Sequence, residues 1–304
     1  MPARARTWSR SLNATALTLI FVAAIAHASW NLFSKQASVT GAASFVWLMS
    51  TVATVMYLPV VAATVIASPP RLTALCWVFM AGTGLLQAGY FLFLQTGYRL
   101  GDLSLVYPIG RGTGALLAAL AGITLLGERP GPVGMAGILF IVVGLIILGV
   151  PAASAAAPAS TTAATTKAIT FALVTGAFIA AYTLWDKYAV STLKIPSLVQ
   201  GYASLPVMAL ALTLFALHAR GRTARVWRTY RRQVLGAAVL SPLAYILVLT
   251  AMSFTAVSAV APAREVSVLF GVLLGRRLLG EGSLARRLGA AATIATGIIC
   301  IAVG

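Results

Sequence analysis

Three charged residues, Arg111, Arg264 and Glu265, stand inside apolar stretches, where an ionisable side chain is costly and usually functional. Arginine presents a planar fork of donors that suits a carboxylate or a phosphate. A buried glutamate can hold an arginine or exchange a proton. These positions therefore allow docking of an anionic group and, at Glu265, proton coupling. The bland alternative is an ion pair between Arg111 and Glu265 that only holds two parts of the chain together. The charges come in two matching phrases. The first runs Val106-Tyr-Pro-Ile-Gly-Arg111 and closes at Leu126-Gly-Glu128; the second runs Val260-Ala-Pro-Ala-Arg264 and closes at Leu279-Gly-Glu281. Arg111 and Arg264 are 153 residues apart, and so are Glu128 and Glu281, which in a 304-residue chain reads as a duplication. Pro108 and Pro262 each remove a backbone hydrogen bond beside the charges, which suits a hinge or a binding site.

Further polar positions surround these phrases. His27, Asn31 and Lys35 follow one another at four-residue steps and share a helix face, with Trp30 as an aromatic wall. His27 is a second candidate to carry a proton. Gln87, Tyr90, Tyr107 and Tyr245 lie in or at the edges of apolar spans, where they can orient a ligand or simply pack. Trp185-Asp186 stands 155 residues after Trp30-Asn31. Asp186 and Lys187 fall near the end of their span and read as interfacial, which leaves Glu265 as the acid expected deep in a span. Glu128 and Glu281 read as structural, ending their helices at the water interface. Gly110-x-x-x-Gly114 and Gly271-x-x-x-Gly275 suggest close helix packing within one chain or between two copies in a homodimer.

Composition sets the elements that must position these residues. Hydrophobic residues make up 60% and charged residues 9%, too apolar for a soluble domain of this size. The class is an all-α polytopic membrane protein. Ten spans of about 20 residues are expected, at 14–35, 42–66, 73–97, 103–126, 132–150, 168–188, 196–218, 234–254, 257–279 and 284–303. A low-complexity linker at 151–167 separates a first five-helix repeat, 1–150, from a second, 168–304. An odd number of helices per half makes the second repeat insert upside down, as two inverted repeats. Arg4, Arg6 and Arg10 before an apolar stretch ending Ala26-His27-Ala28 resemble a cleavable leader. The stretch continues into Trp30-Asn31, so it is read as the first span.

The formal charge is +17, from 22 Lys+Arg against 5 Asp+Glu. Most arginines sit in short loops between spans, which points to lipid head groups and excludes nucleic acid as the partner. With the N-terminus inside, the loop cations divide 7 inside, counting Lys187, against 13 outside, whereas the first half alone leans the other way. Charge does not fix the orientation. The stretch 219–233 spaces Arg222, Arg225, Arg228 and Arg231 three apart and reads as a solvated basic loop or a short interfacial helix. Cys76 and Cys300 offer no metal spacing, and no metal or cofactor is expected.

At His27-Ala-Ser-Trp-Asn31 with Lys35, and at the two Pro…Arg…Leu-Gly-Glu phrases, the chain resembles the EamA family of the drug/metabolite transporter superfamily. Glycine-rich stretches after each Leu-Gly-Glu, Gly131-Pro-Val-Gly134-Met-Ala-Gly137 and Leu288-Gly289, extend the resemblance over nearly the whole chain. It implies both termini in the cytoplasm and a central cavity ringed by the first four helices of each repeat. It also implies export of amino acids or other small metabolites. The expected function is a secondary transporter in the plasma (inner) membrane, working by alternating access on a small anionic or zwitterionic metabolite, with Glu265 or His27 coupling a proton. The expected substrate contacts are Arg111, Arg264, Glu265, Asn31, Trp30, Tyr107, Gln87 and Tyr90. Competing readings are a membrane scaffold or receptor, and a membrane-embedded enzyme. The second is weakened by having only His27 and His218, neither with an acid near it in sequence.

Overall fold

A computed structural model describes residues 13–100, 103–149, 162–267, 270 and 284–303. Every element among them is a helix. The first, α1 (Ala14–Ala67), opens behind Asn13, whose side chain accepts the Ala16 N–H at 2.8 Å and so satisfies one orphan donor of the first turn. Its backbone leaves the helical region at Gly41, which splits it into the two spans the sequence predicts on either side. Then follow α2 (Ala74–Leu100), α3 (Leu103–Leu125) and α4 (Pro132–Gly149), the last opening on a proline whose missing N–H costs nothing there. The second half holds α5 (Thr162–Ser191), α6 (Ser197–His218), α7 (Arg220–Phe254), α8 (Val257–Ala263) and α9 (Leu284–Val303).

Among the described residues, six helical segments are long and apolar enough to cross a membrane: Ala14–Ser34, Ala43–Ala67, Ala74–Gly97, Thr166–Ser191, Ser197–His218 and Arg220–Phe254. Ile109–Leu125, Pro132–Ile147 and Ala292–Ile301 are apolar but shorter. Large apolar side chains such as Val55, Leu85, Leu139 and Leu210 are exposed on the outside. So large an apolar exterior suits lipid rather than water, and the chain is an integral, multi-pass membrane protein.

Small residues let the helices approach closely, as expected where lipid removes the hydrophobic drive for helix pairing. α4 packs on α9 through Gly137 and Gly297: a Cβ on either would stand 2.6 Å from the other's carbonyl oxygen. α3 packs on α5 in the same way, with Gly110 and Gly114 facing Ala172, Gly176 and Ile179. That glycine pair is therefore used inside one chain and is not a face left for a second copy. α1 packs against α7, and α2 against α5 and α6.

Two boundaries differ from expectation. α5 starts at Thr162, so the last residues of the predicted linker are helical, and it runs to Ser191. The basic stretch is not a loop: α7 is helical from Arg220, with a backbone break at Tyr230 that divides the arginine-rich segment from the apolar span. Residues 151–161 of the linker, Gly271, Gly275 and Leu279-Gly280-Glu281 lie outside the described residues. So do the side chains of Lys35, Tyr107 and Pro108, whose backbones belong to α1 and α3.

Candidate functional site

The second copy of the repeated phrase is built as a broken helix. Pro262 removes one helical bond from within α8, and the helix ends one residue later at Ala263. The Arg264 N–H still reaches the Val260 carbonyl at 3.0 Å, and the bonds after it are shorter in sequence: Glu265 N–H to the Pro262 carbonyl at 2.9 Å and Ser267 N–H to the Arg264 carbonyl at 3.2 Å. On a regular helix Arg264 and Glu265 would diverge by about 100°. Here the tight turn lets them pair, with Arg264 Nε 3.1 Å from Glu265 Oε1. Arg111, on the unbroken α3, reaches the other carboxylate oxygen, with Nε 2.7 Å from Oε2. All three residues are buried, Glu265 completely. Arg264 Nη2 has no hydrogen-bond partner, and the guanidinium carbon lies 5.9 Å from the Tyr182 ring centroid.

Two buried charges hold this broken helix at its root. Leu126-Gly-Glu128 ends α3 with Gly127 in the left-handed region (φ +67°), which reverses the chain and returns the Glu128 N–H to the Gly122 carbonyl at 3.1 Å. The reversal tucks the Glu128 carboxylate over Gly122, where a Cβ would stand 2.6 Å from Oε2. There it accepts the N–H groups of Val257 and Ser258, each at 2.8 Å. Ala256, the residue before α8, offers no side chain to cap it, so Glu128 supplies the cap from the other half of the chain. Lys187 does the complementary work at the end of α7, where Nζ donates to the carbonyls of Met252 and Thr255 at 2.9 and 2.7 Å. Glu128 is thus structural, as expected, but buried rather than interfacial. Lys187 is buried too, and it leaves the tally of loop charges.

The largest departure from the sequence reading is Asp186. It is completely buried. Its Oδ2 accepts from Thr83 Oγ1 at 3.0 Å and from the Tyr245 hydroxyl, and its Oδ1 accepts from Gln200 Nε2 at 2.8 Å. Gln87 Nε2 in turn donates to Thr83 at 3.4 Å. The donors come from α2, α6 and α7, and among the described residues no cation forms an ion pair with Asp186. Trp185, beside it, donates to the Phe79 carbonyl at 2.8 Å and stacks on the Phe79 ring, with centroids 4.1 Å apart. The sequence did carry one signal for this carboxylate: Asp186 occupies the place in the second half that Asn31 occupies in the first.

The remaining expected residues form a seam between the two acids. Trp30 is buried and packs on Phe91, Tyr90 lies between Phe91 and Tyr182, and Tyr182 meets Tyr245. His27 Nδ1 accepts from Trp30 Nε1 at 3.2 Å, while its buried Nε2 has no partner. Both Arg111 and Arg264 lie near the His27 ring, and Arg264 lies near Asp186. Asn31 is partly exposed and bonds the carbonyl of His27 on its own helix at 2.8 Å. The structure therefore brings Arg111, Arg264 and Glu265 together, with His27 close by, and links them through rings to a second polar cluster around Asp186. Gln87 belongs to that second cluster and not to the first.

Residues 14–150 match the family model described as the EamA-like transporter family. No curated protein matches the chain. A solved crystal structure of a protein 17% identical in sequence superposes with a TM-score of 0.71, over 95% of this chain and 96% of the other, so the two share a fold.

Proposed function

With residues 14–150 belonging to the EamA-like transporter family of the drug/metabolite transporter superfamily, we propose that this membrane protein is a secondary transporter that exports a small anionic or zwitterionic metabolite by alternating access. The observation that carries the substrate class is the buried triad. Two guanidiniums share one carboxylate, and Arg264 keeps a buried Nη2 with no partner. An unpaired buried donor is costly, and a substrate carboxylate or phosphate would satisfy it in the planar geometry arginine favours. Glu265 is the counter-ion that keeps the two cations tolerable when the site is empty. Trp30 and Tyr90 supply the apolar wall, with Asn31 at its edge; Tyr107 stands one turn before Arg111 on α3.

Ten spans in two inverted repeats is the arrangement that supports such a cycle best. The packing pairs agree with a two-fold exchange of halves: α1 on α7 answers α2 on α5 and α6, and α4 on α9 answers itself. The glycines Gly137 and Gly297 meet on equal terms, as they would on such an axis. The broken helix after Pro262 puts irregular backbone beside the charges, where transporters use it to line a cavity. In this reading Pro262 is the hinge of the second repeat, answered in the first by Pro108, and the membrane is the plasma (inner) membrane.

The test is flux in sealed vesicles. Purified protein in proteoliposomes is given an imposed pH gradient and a mixed pool of amino acids, organic acids and phosphorylated metabolites, and mass spectrometry reads what crosses. Movement of one anionic or zwitterionic compound, lost in Arg264→Ala, is the expected result. Movement of cations alone, or wild-type movement in Arg264→Ala, contradicts the site.

A further inference from the structure

Asp186 is a buried carboxylate that the docking triad does not use. We propose that it is the protonation site of this protein, the group that takes up and gives off the proton accompanying its cargo; this rests on the transporter reading above. Glu265, the acid picked out by sequence, is poorly placed for that work. Protonating it would leave Arg111 and Arg264 buried without a counter-charge, and an uncompensated buried charge is among the costliest defects a protein can carry. Asp186 has no such dependants. Its three partners are a phenol, an alcohol and an amide, all neutral.

The cage offers the carboxyl group partners in both protonation states. As a carboxylate, Asp186 accepts one bond on Oδ1 and two on Oδ2. When a proton arrives it adds to a lone pair of Oδ1; one O–H bond forms and the carboxylate becomes neutral. The new O–H needs an acceptor where Gln200 Nε2 now donates. Gln200 Oε1 is buried and has no partner. Turning the Gln200 amide over exchanges its nitrogen and oxygen, so that Oε1 accepts from the protonated Oδ1. The amide nitrogen then gives up both its bonds, the one to Asp186 Oδ1 and the longer one to the Phe79 carbonyl at 3.3 Å, but that carbonyl keeps the 2.8 Å bond from Trp185 Nε1. Tyr245 and Thr83 continue to donate to Oδ2, now the carbonyl oxygen of a neutral acid. One amide turn gives both Asp186 oxygens a hydrogen-bond partner in either protonation state.

The groups facing Asp186 from its neighbours fit this use. α2 contributes Thr83 and Gln87, α6 contributes Gln200 and α7 contributes Tyr245, and of these only the phenol titrates. On α5 itself, Lys187 is turned away to the end of α7, and Tyr182 packs against the Tyr245 ring. α3 packs on α5, but its Arg111 is engaged by Glu265. Arg264, after α8, belongs to the docking triad and lies 5.9 Å from the centroid of the Tyr182 ring, which packs on Tyr245, a donor to Asp186. An anion that draws Arg264 toward itself changes the field at Asp186. That links cargo and proton through one side chain.

The experiment is an infrared pH titration of the full chain reconstituted in lipid, with no cargo present. A carbonyl band of a protonated carboxylic acid is expected to appear as the pH falls, to be absent from Asp186→Asn and to persist in Glu265→Gln. Tyr245→Phe removes a donor to the Oδ2 carbonyl, so the band should remain and move to higher frequency; this variant also decides the matter should Asp186→Asn fail to fold. The proposal is overturned by absence of the band in the wild type, by its survival in Asp186→Asn, by its loss in Glu265→Gln or by an unmoved frequency in Tyr245→Phe. A spectral change at Asp186 on adding sodium chloride in place of choline chloride at fixed pH would assign the site to a metal cation instead. Because no cargo is present, the outcome is independent of flux. A chain that shows the band and moves nothing keeps the proton site and loses the transporter reading, and a chain that moves a metabolite without the band does the reverse.

Discussion

Glu265 and Asp186 are both completely buried in the same helical bundle, yet their surroundings are opposite in kind. Glu265 lies between two guanidiniums, at 2.7 and 3.1 Å. Asp186 lies among neutral donors from three helices. The first arrangement depends on the negative charge being there; the second tolerates its loss. The contrast shows that the number of charges in a membrane core says little about which of them can change state. What decides is whether the partners need the charge. An acid locked between cations is a fixture of its ion pairs, and an acid held by dipoles is free to be neutralised.

The sharpest way to break this comparison is to neutralise each acid without changing its shape. Glu265→Gln leaves two buried arginines uncompensated and should cost about 3–5 kcal/mol, seen as a large fall in the thermal midpoint of the protein in detergent. Arg111→Ala should cost less than Glu265→Gln, because Arg264 still pairs with the carboxylate; equal losses would show that the three do not act as the unit described. Next in size is Glu128→Ala, which orphans the N–H groups of Val257 and Ser258 and should cost about 1–3 kcal/mol. Glu128→Gln keeps one acceptor and should recover part of that. A Glu128→Ala protein as stable as the wild type would remove the cap from the account of how the broken helix is held. Asp186→Asn should be mildest, at about 1 kcal/mol or less, because the amide keeps an acceptor for Tyr245 and Thr83 and can pair with Gln200. A loss as large as that of Glu265→Gln would erase the distinction between the two acids.

The sequence made one acid legible and hid the other for a physical reason. Arg111 and Arg264 announced themselves because they recur at a fixed offset inside apolar text, with Glu265 beside the second, and a repeat needs no knowledge of packing. The split of α1 was legible as well, since the expected spans 14–35 and 42–66 fall on either side of Gly41. Asp186, Lys187 and Glu128 read as interfacial because each lies near the end of an apolar run. Their burial comes from α2, α6, α7 and the start of α8 closing over them, which is a property of tertiary packing and not of local pattern. Pro108 and Pro262 look alike in the sequence, yet α3 runs on through Pro108 whereas the helix ends just after Pro262. Only in the second copy does an adjacent acid, Glu265, pair with both arginines at that turn.

The most direct measurement is flux in proteoliposomes for the wild type, Glu265→Gln and Asp186→Asn side by side, each with and without an imposed pH gradient, using whichever compound the wild type moves from the mixed pool. The account predicts no flux from Glu265→Gln under either condition, and flux from Asp186→Asn that persists but no longer responds to the gradient. Gradient-driven flux in Asp186→Asn, or gradient-independent flux in Glu265→Gln, would contradict it.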